Sequence, residues 1–184
     1  SNMDDIPLYD YSLFAEDVFF RPYNGKVLKA ADVEFSRGCP YTGSYCVETV
    51  IQNYYGFEKI GGNGVLKDAS KYLRNKSAQR IFDEIKNLHI NFGVTLFRCQ
   101  DTNFLSNNRT VLNQLTDLIQ DNKLDIMLYI ETRPETINEK NIDLLKRLKV
   151  DGVGMGLELA SESFRKSSLN RFPSQEKIIR AFKL

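Results

Sequence analysis

Asp32-Val33-Glu34-Phe35, running on into Ser36-Arg37-Gly38-Cys39-Pro40-Tyr41-Thr42-Gly43-Ser44-Tyr45-Cys46, is the stretch on which the fold turns. The first four residues read as a short strand, and the loop that follows carries two of the chain's three cysteines. Three further β-rich runs lie downstream: Val94-Thr95-Leu96-Phe97, Ile126-Met127-Leu128-Tyr129-Ile130 and Val153-Gly154-Met155-Gly156-Leu157. Each is short, mostly apolar and bounded by Gly, Asp or Asn.

Between the runs the apolar period changes from 2 to 3.6. Ile81, Ile85 and Leu88 make one helical stripe behind a Ser77 cap, and Val111, Leu112, Leu115, Leu118 and Ile119 make a second after Asn107-Asn108. Ile142, Leu145 and Leu148 make a third, and Ile178, Ile179 and Phe182 begin a fourth after Pro173-Ser174. From the second run onward the strands start roughly 30 residues apart, the length of a βαβ unit. No turn of hairpin length is read between the runs, so a parallel sheet is expected, with right-handed crossovers bringing the strand C-termini to one face. The longer first interval holds the cysteine loop and a glycine-rich stretch, 56–64, expected to pass over that face. Residues 1–30 lack a clean period and are read as a leader packed on the outside; residues 31–184 form the core. Ser1-Asn2 has the look of a tag remnant.

The chain has 184 residues, a net charge of +1 from 25 basic and 24 acidic side chains, and a hydrophobic fraction of 42%. That length suits one domain. The balanced charge supplies no long-range field to draw nucleic acid or an anionic membrane, so neither is expected as a partner. No apolar run approaches the roughly 20 residues that span a bilayer, and the start has no signal-like pattern. Three cysteines, an odd number, suit free thiols in a reducing, cytoplasmic setting better than a disulfide framework.

The loop resembles CxxxCxxC of the radical S-adenosylmethionine (SAM) superfamily, in the Ser-Arg-Gly-Cys-Pro-Tyr form found in cobalamin-binding-domain-type members and methylthiotransferases. Other segments are similar to the family too. They are Ile6-Pro7-Leu8-Tyr9-Asp10-Tyr11 in the leader, Gly93-Val94-Thr95-Leu96-Phe97 with the single acid Asp101, and Gly154-Met155-Gly156-Leu157-Glu158-Leu159-Ala160-Ser161. Asn170-Arg171 and Ser174 match the usual lead into the fourth helix.

The resemblance implies an α/β fold: a partial (β/α) TIM-like barrel of about four βα units, as expected of an excised or truncated piece. It implies an oxidoreductase core in which a [4Fe-4S] cluster drives reductive cleavage of SAM to a 5′-deoxyadenosyl radical, the substrate being an unidentified small molecule. Cys39 and Cys46 would be cluster ligands, Tyr45 would lie beside the adenine, and Glu158 would meet the SAM amino or ribose group. Glu131 or Arg133 would hold the SAM carboxylate, since a guanidinium grips a carboxylate bidentately. Cobalamin enters only with a separate upstream domain.

Gly43 stands where the middle cysteine is due. Three explanations stay open: natural decay to a non-catalytic binding or regulatory module, an engineered or erroneous substitution, or rescue by another ligand such as Cys99, expected at the same face. The sole histidine, His89, is read as surface or packing. An incomplete barrel leaves a strand edge unpaired, so a homodimer through that edge is a further expectation.

Overall fold

A computed structural model of the chain describes residues 2–57 and 61–184; Ser1, half of the expected tag remnant, and 58–60 of the glycine-rich stretch lie outside the described residues. In chain order the elements are β1 (Phe20–Tyr23), β2 (Lys26–Val33), β3 (Ser36–Arg37), α1 (Val47–Tyr54), α2 (Ala69–Tyr72), β4 (Arg74–Asn75) and α3 (Ala78–Phe92). They continue with β5 (Leu96–Cys99), α4 (Arg109–Asp121), β6 (Met127–Thr132), α5 (Glu139–Arg147), β7 (Val150–Met155), α6 (Glu162–Ser168) and α7 (Gln175–Lys183). The main sheet has the order β1-β2-β5-β6-β7. Its pairs from β2 to β7 are parallel, whereas β1 runs antiparallel to β2. The α/β expectation of a partial TIM-like barrel holds. No helix among the described residues is long and apolar enough to cross a membrane.

Alternation along each strand divides the sheet into two faces. Val33, Phe97, Leu128 and Ile130 join Ile81, Ile85, Leu115 and Leu144 in one buried cluster under the helices. The helices begin where their caps put them: Ser77 accepts from the Arg80 N–H at 3.1 Å, and Asn108, Asn138 and Ser174 cap α4, α5 and α7 in the same way. α3 ends on Gly93, whose φ of +70° is open to glycine at little cost. His89 donates from Nδ1 to the Val94 carbonyl at 2.8 Å, a packing role.

Two sequence expectations need correction. β2 starts at Lys26 rather than Asp32, so the division at residue 30 falls inside a strand. The reason is a hairpin: Asn24 and Gly25, at φ +47° and +72°, turn β1 back onto β2, and the Asn-Gly pair is the usual residue choice for such a turn. This hairpin precedes the first of the four runs; between the runs the pairs are parallel, as expected. In α7 the buried residues are Ile178 and Ala181, whereas Ile179 and Phe182 face solvent. The rest of the leader packs three short 3-10 turns on the sheet, with Tyr11 and Phe19 against Phe92 of α3 at ring distances of 5.9 and 5.5 Å.

The sheet curves enough for a side chain of its first strand to reach its last strand at the N-terminal end of the parallel strands. The Tyr23 hydroxyl donates to Asp151 of β7 at 2.8 Å and its ring lies edge-on to Tyr129. Three glycines of the β7 side make that interior fit. A Cβ at Gly152 would run into the Tyr23 hydroxyl and the Tyr129 ring, and one at Gly154 would lie 2.6 Å from the Tyr129 hydroxyl. At Gly156 it would lie 2.6 Å from Glu158 Oε1. The tyrosines fill the floor, and the open space is left at the other end.

Candidate functional site

At the C-terminal ends of the parallel strands lies a cavity of about 370 Å³. The loop after β2 contributes Cys39, Gly43, Tyr45 and Cys46; the strand ends contribute Glu131, Arg133 and Glu158; Arg171 enters from the segment before α7. Residues some 130 positions apart thus meet because each follows a strand that ends at the same lip.

The two thiols on this lip differ in setting. Cys39 is 6% exposed, and burial pushes its thiol up to about 11. Its N–H donates to Glu48 and its carbonyl accepts from Gln52, both from α1. Cys46 is half-buried and stands at the N-terminal cap of α1. Cys99 does not meet the expectation placed on it. It lies on the helix-facing side of β5, 2% exposed within the apolar cluster, and its burial raises its thiol pKa well above the ordinary range. The alternation of β5 turns Cys99 away from the cavity, so it brings no third thiol there.

Above Gly43 lies the ring of Tyr45, whose Cε1 would be 3.1 Å from a Cβ at that position. The Tyr45 hydroxyl accepts from Arg171 at 2.9 Å. The Arg171 guanidinium, itself buried, also donates to Glu158 at 2.9 Å and to the Gly156 carbonyl at 2.8 Å. Glu158 sits in the left-handed region at φ +65°, which turns its carboxylate back toward Arg171. On the opposite wall Arg133 lies 3.9 Å over the Tyr41 ring and donates from Nε to Glu135 at 2.5 Å. Glu131 lines the cavity with no ion-pair partner among the described residues.

Tyr45, Arg133 and Glu158, named by the sequence reading, all line this cavity. Arg171 was read only as part of a helix lead-in, because a lone arginine before a cap carries no periodic signal. The inward face of α1 was missed altogether: it buries Glu48 and Gln52 and leaves Val47, Val50 and Tyr54 outside, the reverse of an ordinary amphipathic helix.

A family model described as the radical SAM superfamily matches residues 33–184. The chain is 26% identical over 160 residues to an uncharacterized methyltransferase of Pyrococcus horikoshii, a match covering 87% of this chain and 30% of that protein. Among solved structures it is similar to TsrM, a radical S-adenosylmethionine methyltransferase from Kitasatospora setae. With tryptophan substrate and the SAM analogue aza-SAM bound, that structure gives a TM-score of 0.62 at 16% identity, covering 84% of this chain and 28% of TsrM. The form with cobalamin and a [4Fe-4S] cluster gives 0.61 at 16% identity, over 85% and 27% of the two chains. The chain therefore spans under a third of the length of these relatives.

Proposed function

The chain belongs to the radical SAM superfamily, and from that premise we propose that it is the SAM-binding core of a radical SAM enzyme acting on a small-molecule substrate. The observation that carries this reading is the meeting of Cys39, Cys46, Tyr45, Arg133 and Glu158 around one cavity. The cavity volume lies within the ordinary range for small-molecule sites. Its polar groups suit SAM. The second oxygen of Glu158, free of Arg171, would take the amino or ribose group; the outer N–H groups of Arg133 would take the carboxylate; and the Tyr45 ring offers a face to the adenine. Glu131 offers a second carboxylate for the cationic end. Both relatives are named as methyltransferases, which favours methyl transfer as the reaction class. Cobalamin, if used, belongs to a separate domain, and free thiols suit a cytoplasmic setting.

The donor set does not fit a [4Fe-4S] cluster of the family type. Among the described residues no three His, Cys, Asp or Glu side chains group as a metal site, and Gly43 leaves the loop one thiolate short. That shortage favours the second reading, a module that binds SAM without cleaving it. Both readings share the SAM site. In titration calorimetry on the metal-free chain SAM is expected to bind, and Glu158→Gln to weaken binding at least tenfold, about 1.4 kcal/mol. Equal binding by the variant would remove Glu158 from the site, and no heat of binding would remove the site itself.

The proposal extends to assembly. β7 has no strand on its outer side among the described residues, so two copies pairing through that edge would complete its ladder. Light scattering at rising concentration is expected to reach the dimer mass. A mass that stays monomeric throughout would end this idea.

A further inference from the structure

We propose that the segment between α6 and α7 is a latch, acting through Asn170, that holds the cysteine loop in shape whether or not any metal is present. In a metal-organised loop the backbone groups find partners only when the metal binds, and removing it frees the chain. Here the protein supplies the partners. The Cys39 N–H and carbonyl are taken by Glu48 and Gln52 of α1, and the Gly43 carbonyl accepts from the Thr49 hydroxyl at 2.8 Å. The Pro40 carbonyl accepts from the Leu66 N–H at 2.8 Å, and the Thr42 N–H donates to the Gly64 carbonyl at 2.9 Å. The remaining groups are held from the far end of the sequence. Asn170 Nδ2 donates to the Thr42 carbonyl and to its hydroxyl, both at 2.8 Å. The Ser44 N–H donates to the Leu169 carbonyl at 3.3 Å, and the Ser44 hydroxyl donates to the Ser168 carbonyl at 2.5 Å.

The latch is built to fit. Asn170 has a φ of +51°, a conformation that asparagine tolerates better than most residues and that aims its amide at the loop. Gly64 lies directly beneath it: a Cβ there would come within 2.9 Å of the Asn170 carbonyl oxygen, so only glycine lets the two segments close over Thr42. Arg171, the next residue, carries the contacts to Tyr45 and Glu158. One turn of chain thus grips the loop with one side chain and the cavity wall with the next. Asn170 is a positioning residue. It lines no part of the cavity, and its effect on any bound group passes through the loop.

The three cysteines report separately on this idea. Cys46 on the rim is open to reagent, Cys39 becomes reactive when the loop opens and its thiol is hydrated, and Cys99 in the core becomes reactive only when the whole fold opens. The experiment is iodoacetamide labelling of the metal-free chain, read cysteine by cysteine by mass spectrometry. Asn170→Gly keeps the left-handed backbone available and deletes only the amide. It is expected to speed Cys39 labelling about tenfold, the loss of two hydrogen bonds, with Cys99 unchanged and Ser44 amide exchange faster in step. Asn170→Asp, which sets a carboxylate against the Thr42 carbonyl and leaves only the Thr42 hydroxyl able to donate to it, is expected to speed Cys39 labelling as well. If Cys39 and Cys99 accelerate together, Asn170 supports the fold at large and the latch is refuted. Unchanged Cys39 labelling in both variants refutes it equally. No outcome depends on SAM or a cluster binding, so the proposal fails or stands apart from the functional reading.

Discussion

Gly43→Cys is expected to convert a chain that binds iron poorly into one that holds roughly four irons after anaerobic reconstitution with iron and sulfide, with the broad visible absorption of an iron–sulfur cluster. The geometry allows the change. Gly43 is not at a positive φ, so a side chain there adds no backbone strain. The three atoms nearest an added Cβ all belong to the Tyr45 ring, at 3.1, 3.5 and 3.7 Å, and none is a backbone atom. That ring is 46% exposed and can swing outward by the few tenths of an ångström required. The loop itself need not refold, because its backbone is already held. Cys39→Ala in the Gly43→Cys background should abolish the gain, whereas Cys99→Ala should leave it intact, since that thiol faces the helices. Loading of the natural chain to the same level would mean that another ligand completes the cage. Failure of the restored chain to load would mean that the thiol positions are wrong for a cluster. If loading succeeds, production of 5′-deoxyadenosine from SAM tests whether the missing cysteine alone separates this chain from reductive cleavage.

The sheet was legible because three of its strands and all three interior helices follow the periods that burial imposes. Leu112, Leu115 and Ile119 of α4 are each fully or nearly fully buried at their spaced positions. β2 was misjudged at its start because Lys26-Val27-Leu28-Lys29 is an outer segment in register with β1, where no core demands an apolar pattern. Its signal was the Asn-Gly turn, which is local chemistry rather than period. Cys39, Cys46 and Glu158, singled out by the resemblance of their segments to the family, line one cavity. Cys99 was misplaced because the side a strand residue faces depends on register. Leu96–Cys99 pairs with Ala30–Val33 such that Cys99 sits beside Val33 on the helical side. The contacts of Arg171, Asn170 and Glu48 escaped the sequence reading for a different reason: Arg171 and Asn170 reach back to Tyr45 and Thr42 at the other end of the chain, and Glu48 takes the Cys39 N–H across the loop, contacts that no local period encodes.

Asp101→Ala is expected to destabilise the chain by about 3–5 kcal/mol, the largest effect foreseen for any one polar residue here, because it leaves several buried donors without an acceptor at once. Asp101 is only 3% exposed. It accepts from the Ser36 N–H at 2.7 Å, the Ser36 hydroxyl at 2.5 Å, the Phe35 N–H at 3.0 Å and Asn107 Nδ2 at 3.0 Å. Two of these donors are backbone groups at the point where the chain leaves β2 for the cysteine loop, so the carboxylate ties β5's exit to the base of the site. Each donor left unpaired costs about 1–3 kcal/mol, and entry of water into the space vacated recovers part of the sum. For a domain of this size the expected loss corresponds to a fall in Tm of roughly 10 °C. Asp101→Asn separates shape from charge: its oxygen can keep the Ser36 and Asn107 donors while its NH2 faces the Phe35 N–H, so an intermediate loss is expected. Thermal unfolding and urea titration of the three proteins measure the series. A loss below about 1 kcal/mol for Asp101→Ala, the range of an ordinary single hydrogen bond, would show that the exit from β2 is held by packing of Phe35 against Phe104 instead.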